Sequence, residues 1–306
     1  MIVISGASGR LGRLTVRHLS ERVDPSRIVA LTRTPEKIAD LAGLGVRVRQ
    51  ASFDDTESLA RAIDGAERML VISTGTLGRR VEQHAGAIDV AVKAGVGHVL
   101  YTSMTRAGEP GNPLAILADH RDTERILADS GVPFTVLRNS VYADMLSLSL
   151  PLDRAVETGV LAGSSGAGHV PYVTRSDCAA VAAAVLADGG HEGQFLDVTG
   201  PQALDHHGIA AALSQATGRP VRYEPQAEDE ARQELVARLP PEVLAKGAEA
   251  ALESAFRFWG HVQDGWLDVT THTVERLTGR PGTTLAEFFA TSGMFDATAA
   301  RTREGS

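Results

Sequence analysis

Apolar residues fall into short blocks along the first 140 positions, with helical stretches between them. Residues 1–4 (Met-Ile-Val-Ile) form the first block, and Leu11, Leu14, Val16 and Leu19 follow at helical spacing. Further blocks stand at 28–31, 46–48, 69–72, 99–102 and 134–137. The segments 13–22, 35–42, 56–63, 79–94 and 117–129 read as helices. Asp55 opens one of them as a cap before an acidic first turn, and Gly95 closes another. Strand and helix alternate with short connections, which predicts a doubly wound parallel sheet.

After 140 the alternation weakens. Residues 141–158 read as helical, 159–169 as a glycine-rich connection, 169–172 as a short strand and 175–187 as a helix. A strand at 194–198 is expected to return to the main sheet. A helix at 206–217, a strand at 221–224 and helical residues 227–258, broken at Pro240-Pro241, complete the pattern. The expected fold is α/β: a Rossmann-type domain over 1–140 and a smaller C-terminal α+β lobe over 141–297, closing over the C-terminal edge of the sheet. A small, polar tail over 298–306 is expected to fray.

Composition narrows the function classes. The chain has 306 residues, 43% of them apolar, and a net charge of −8, which argues against a nucleic-acid surface. One cysteine, Cys178, excludes an intramolecular disulfide and reads as a small buried residue. No stretch approaches 18 apolar residues, and no secretion signal is evident, so no membrane partner and a cytoplasmic location are expected. The histidines show no metal spacing: His206-His207 open a helix, and His261 and His272 are assigned to a polar turn region. Phe256, Phe258, Trp259 and Trp266 read as core or lobe-contact aromatics. A homodimer is kept open.

The candidate chemistry begins in the first turn. Gly6, Gly9 and Gly12 follow the first strand and open a helix, in the spacing G-x-x-G-x-x-G. Such a turn brings backbone N–H groups and a helix N-terminus against a phosphate, with Ser8, Arg10 and Leu11 inside it. A glycine-rich turn can also serve structure alone, so the later strand ends matter. Ligands of open parallel sheets bind at the C-terminal ends of the strands. After the second strand stands Arg33, where an acidic residue would take the ribose hydroxyls of NAD; a guanidinium there suits a 2′-phosphate. NADP(H) is therefore the preferred cofactor, with NAD(H) kept open. Arg10 adds a second positive charge, and Lys37 is a weaker candidate. Asp54 follows the third strand as a possible acceptor for the adenine amine, Ser73 and Thr74 follow the fourth, and Thr102 and Ser103 the fifth.

Several segments together carry a family resemblance: residues 4–12 (Ile-Ser-Gly-Ala-Ser-Gly-Arg-Leu-Gly), 31–37 (Leu-Thr-Arg-Thr-Pro-Glu-Lys), 101–103 (Tyr-Thr-Ser), 120–124 (His-Arg-Asp-Thr-Glu) and 137–142 (Leu-Arg-Asn-Ser-Val-Tyr). The chain resembles the NmrA-like branch of the atypical short-chain dehydrogenases. Within it, it is most similar to the type 2 NAD(P)H:quinone oxidoreductases, with the triphenylmethane reductases near by. Gly190-His-Glu-Gly193 and residues 279–288 extend the likeness over nearly the whole chain. The resemblance implies an NADPH-binding domain, a substrate cleft beside the smaller lobe, and hydride transfer to a quinone-like acceptor without flavin or metal. It places Asn139 and Tyr142 in the pocket.

The tyrosine/lysine acid–base pair of ordinary short-chain dehydrogenases is missing. Thr105 stands four residues after Tyr101, and Leu146 four after Tyr142. His120 occupies the stretch where the related isoflavone-reductase type carries a lysine, and is a candidate general acid. Glu124, one turn on, is placed to orient it, unless the two form a plain ion pair. The catalytic set is thus His120, Asn139 and Tyr142. Pocket walls are assigned to 73–77 and 104–113. Three functions follow: reduction of a planar, electron-poor small molecule; NmrA-like redox sensing without turnover; or a biosynthetic reductase or isomerase step on an aromatic or polyketide substrate.

Overall fold

The apolar blocks pair as strands, and all of the pairing in the main sheet is parallel. A computed structural model of the chain describes residues 1–76, 78–112, 114–164, 166–238 and 249–295. Leu77 and Pro113, which end the two assigned wall segments, lie outside the described residues, as do the Pro240-Pro241 break and the 298–306 tail. The strands are β1 (Ile2–Ile4), β2 (Ile28–Thr32), β3 (Arg47–Gln50), β4 (Arg68–Val71), β5 (His98–Met104), β6 (Phe134–Asn139), β7 (Val160–Gly163), β8 (Gln194–Val198) and β9 (Arg222–Pro225). Seven of them form one sheet in the order β3-β2-β1-β4-β5-β6-β8. The order reverses between β1 and β4, the switch point at which doubly wound sheets open a crevice.

The helices are α1 (Arg10–Ser20), α2 (Ala39–Ala42), α3 (Thr56–Ile63), α4 (Arg80–Lys93), α5 (Ala115–Asp129), α6 (Leu146–Ser149), α7 (Leu152–Thr158), α8 (Arg175–Asp188), α9 (His206–Thr217), α10 (Glu228–Arg238), α11 (Glu249–Gln263), α12 (Thr273–Thr278) and α13 (Leu285–Thr291). Strand alternation sends Val3, Val29, Met69, Val99, Tyr101 and Val136 to one face, where they pack with Leu59, Ile63, Ile88 and Leu127 of α3, α4 and α5. Ile2, Ile4, Ile28, Leu70 and Leu100 point the other way and are equally buried. There α1 and α8 pack together, α8 through a buried run that includes Cys178, Val181 and Val185. Strands covered on both faces need apolar residues at every position, which is why they stand out in the sequence.

The chain divides into two compact units. One is Met1–Asn139, Arg175–Val198 and Thr271–Gly282; the other is Ser140–Thr174, Thr199–Thr270 and Thr283–Ser306. A single cut at 140 puts α8, β8 and α12 in the C-terminal lobe, but their contacts place them with the sheet. The reason is the strand pairing: β8 adds to β6 with Val136 beside Phe195 and Asn139 beside Val198. The expected return of 194–198 to the main sheet is thus observed.

The second unit holds the parallel pair β7 and β9. β7 falls within the glycine-rich connection expected over 159–169, because four residues ending in glycine carry almost no periodicity. Residues 169–172 make one isolated bridge, Val170 with Leu204, and the next residue, Val173, bridges Tyr142. The helical stretch 141–158 breaks at Leu150-Pro151, since proline cannot donate into a continuing helix. His261 lies in α11 rather than in a turn. Trp259 of α11 packs edge-on against His206 and Phe258.

Candidate active site

The turn after β1 is built by its glycines. Gly6 has φ +61, a left-handed conformation that costs other residues strain. A Cβ on Gly12 would collide with the Gly6 carbonyl oxygen and lie 2.8 Å from its carbonyl carbon, so only glycine lets α1 come this close to the turn. Gly9 caps α1 in an extended conformation. No side chain fills the cap, and the first turn holds no acidic residue. The first-turn N–H groups have no acceptor within the helix, and the dipole there favours an anion. The turn is anchored on both sides: Ala7 N–H donates to Leu31 and Ser5 N–H to Leu70. Ser8 is exposed and Leu11 is buried.

At the end of β2, Arg33 is exposed, and no carboxylate among the described residues pairs with it. The neighbouring cations differ. Arg13 and Arg17 are both tied to Asp40, whose carboxyl the Arg13 guanidinium holds below its ordinary range. Arg10 is exposed inside the turn. Thr34 N–H donates to the Thr32 hydroxyl, so these two hydroxyl residues shape the loop that presents Arg33.

At the end of β3, Asp55 caps α3 by accepting from Ser58 N–H at 2.9 Å, as its position suggested. Asp54 is engaged differently. Its Oδ1 accepts from Gln83 at 2.9 Å and pairs with Arg79 at 3.1 Å.

The end of β4 is the most heavily bonded. Ser73 N–H donates to the Thr102 hydroxyl at 2.9 Å, joining β4 to β5. Thr74 donates its N–H to Nε2 of His84 at 3.0 Å and its hydroxyl to Gln83 at 2.8 Å, and its carbonyl accepts from Nε of Arg80 at 2.8 Å. All of its polar groups are spent on α4. Arg80 is buried and reaches Asp119 of α5 at 3.0 Å.

On β5, alternation puts Tyr101 and Ser103 toward α5. The Ser103 hydroxyl donates to Glu124 at 2.6 Å, and the Tyr101 phenol meets Nδ1 of His120 at 2.7 Å. Glu124 also accepts from Nε and NH2 of Arg138 at 2.9 and 2.7 Å. This corrects the expectation that Glu124 orients His120. A two-pronged guanidinium on the neighbouring strand satisfies the carboxylate better than an imidazole one helical turn away. The ring of His120 is held by Tyr101 instead.

Burial, with Arg80 and then His84 adding to it, pushes the His120 pKa down to about 3. Burial and Arg80 push that of His84 down to about 4. Both rings are neutral at ordinary pH. Asn139 ends β6, buried, its carbonyl accepting from Thr105 N–H at 3.1 Å. Tyr142 belongs to the second unit, where it is half-buried and bridges to Val173.

The parallel sheet puts the ends of β1 to β5 along one edge, with the glycine turn after β1 at its centre. A description of NAD(P)H-binding proteins matches residues 6–189, beginning on the first glycine of that turn. The chain belongs to this NAD(P)H-binding family. Escherichia coli quinone oxidoreductase 2 is 37% identical over 94% of this chain and 96% of its own length. The crystal structure of that protein with NADPH superposes with a TM-score of 0.85 at 35% identity, covering 97% of this chain and all of its own. A Streptomyces griseus (4-alkanoyl-5-oxo-2,5-dihydrofuran-3-yl)methyl phosphate reductase is 36% identical over 92% of this chain and 94% of its own length. The turn at Gly6–Gly12 fits the family's nucleotide, since it offers close backbone approach and a helix start with no acidic residue in its first turn.

Three residues of this site carry no signal in the sequence reading: Arg80, Gln83 and His84. They sit in the opening turns of α4, where charged and amide residues read as a solvated face. A polar strand end directly before them was the available hint.

Proposed function

We propose that this protein is an NAD(P)H-dependent reductase acting on a planar, electron-poor acceptor of quinone type. The observation that carries this reading is the pairing of the Gly6–Gly12 turn with an exposed, unpaired Arg33 at the next strand end. The turn binds a pyrophosphate through backbone N–H groups. Arg33, with Arg10 inside the turn, favours the 2′-phosphate of NADP(H) over NAD(H). When bound, NAD(P)H supplies a hydride, and a quinone becomes a hydroquinone by taking that hydride and one proton from solvent.

The chain's own residues bind and orient. Asn139 is assigned to orienting the acceptor, and Thr102 and Ser73 to holding the adjacent strand ends together. His120 acts through Tyr101 as a positioning residue, because a neutral, buried imidazole bonded to a phenol has no proton to give near pH 7. Quinones need little proton assistance, so orientation is the main contribution required. The names of the quinone oxidoreductase and of the lactone phosphate reductase support a small conjugated acceptor. The second name favours a further reading, reduction of an activated carbon–carbon double bond.

The test is NADPH oxidation, followed at 340 nm, against benzoquinones, naphthoquinones, triphenylmethane dyes and unsaturated lactones. A rate that requires a quinone and falls on Asn139→Ala supports the reading. Turnover of lactones alone moves it to the second acceptor class.

A further inference from the structure

The hydrogen bonds behind the end of β4 close into a ring. Thr74 N–H donates to Nε2 of His84. His84 therefore carries its lone pair on Nε2 and its hydrogen on Nδ1. Nδ1–H faces the Thr123 hydroxyl at 3.1 Å, and that hydroxyl donates to the Asp119 carbonyl at 2.9 Å. The other branch runs from the Thr74 carbonyl to Nε of Arg80, and from its NH1 to the Asp119 carboxylate. Both branches start on Thr74 and end on Asp119, and each donor meets one acceptor.

A side arm joins the ring to the end of β3. Gln83 accepts from the Thr74 hydroxyl and donates to Asp54, which also pairs with Arg79. His84, Thr123 and Arg80 are buried, so the bonds from His84 to Thr74 and to Thr123 cannot be replaced by water at little cost.

The ring lies beside the phosphate-binding turn. Ile4 of β1 pairs with Leu70 of β4, and Ile72 N–H donates to the Ser5 hydroxyl at 2.9 Å. Ile72 stands 3.7 Å from where a Cβ on Gly6 would be. The next residues, Ser73 to Thr76, leave the sheet at the switch point. Space is open next to Gly75.

We propose that His84 is a positioning residue for NAD(P)H: with Arg80 and Gln83 it fixes the Thr74 peptide, and so sets the path of residues 73–76 beside the turn that holds the pyrophosphate. Thr74 itself then shapes the site and does not touch the ligand, since its N–H and carbonyl are bonded within the ring and its hydroxyl to Gln83. This inference rests on the proposed NAD(P)H site at the Gly6–Gly12 turn.

The experiment is NADPH binding by fluorescence titration in the absence of acceptor, with the KM for NADPH and kcat measured alongside. His84→Leu removes the acceptor for Thr74 N–H. It is expected to raise the NADPH Kd at least tenfold and KM in parallel, with kcat within about threefold. His84→Gln, whose amide oxygen reaches the same N–H, is expected to restore Kd to within about threefold of wild type. Leu127→Ala, a core truncation in α5 outside the ring, is expected to lower Tm and leave Kd unchanged. If His84→Leu does not fold by circular dichroism, Thr123→Val, which removes the partner of Nδ1–H, is expected to raise Kd at least threefold. Folded His84→Leu or Thr123→Val binding NADPH as wild type does would overturn the inference. Failure of the wild-type protein to bind NADPH would overturn the reading of the site itself.

Discussion

The phenol of Tyr101 and Nδ1 of His120 are 2.7 Å apart, buried together on the α5 face of the sheet. Burial raises the phenol pKa, so Tyr101 keeps its proton beside a neutral imidazole. The pair is a structural link between β5 and α5, and not an acid–base couple waiting to titrate. Accordingly, kcat measured between pH 5.5 and 8 is expected to show no inflection near 6.5 from His120. A limb there that disappears in His120→Asn would contradict the assignment. Tyr101→Phe leaves Nδ1 without its partner and is expected to cost about 1–3 kcal/mol of stability by urea unfolding.

The same neutral histidines set the response of the fold to acid. His84, His120 and His206 have folded pKa values near 4, 3 and 4, all lowered first by burial. In the unfolded chain each returns to about 6.5. Between these values the unfolded state binds more protons. The stability that the neutral rings confer is therefore complete above about pH 6.5 and is lost as pH falls toward 4. Each ring contributes a slope of up to about 1.4 kcal/mol per pH unit. Urea unfolding at pH 7, 6 and 5 should show a steady decline, shallower in His206→Gln. Stability that holds level over this range would contradict burial of these rings in the neutral form.

Arg33 is proposed to select the nucleotide. Replacing it by Ala is expected to weaken NADPH binding by about 10- to 100-fold, the worth of one to two charge-assisted hydrogen bonds. NADH binding should change little, since it lacks the 2′-phosphate. Equal loss for both nucleotides would place Arg33 away from that phosphate.

Gly12 tests the turn itself. Gly12→Ala drives a methyl group into the Gly6 carbonyl, so α1 must move away from the strand end. NADPH binding is expected to fall at least about 100-fold, a loss of about 2.8 kcal/mol. Because Gly12 sits in the first turn of α1, most of the helix and its packing on α8 should survive, and circular dichroism should remain close to wild type.

The elements of the first unit were legible because strands buried on both faces are apolar at nearly every position. Ile28 to Leu31 and Val99 to Tyr101 could hardly be read otherwise. β7 escaped because Val160 to Gly163 offers two large apolar residues and a glycine. The return of β8 was legible in the sequence, but the cut near 140 left α8 and α12 with the smaller lobe, since which helices pack on the sheet is set by long-range contacts that no local pattern carries. In the site, the glycine spacing and the strand-end residues could be found from position alone. The partner of Glu124 could not: Arg138 lies 14 residues away and reaches it only because β6 runs beside β5. The ring through His84, Thr123 and Asp119 was hidden for the same reason, joining α4 to α5 across 39 residues.

The most direct test of the central claim is a single-turnover reaction of the purified protein with NADPH and a naphthoquinone. The protein should show no flavin absorbance, and the reaction should be repeated with NADPH carrying deuterium at nicotinamide C4. One NADPH is expected to be oxidised per quinone reduced, slowed by deuterium on one face of the ring only. Tight NADPH binding with no quinone-dependent loss of absorbance at 340 nm would contradict it, and would leave a protein that binds the nucleotide without using it.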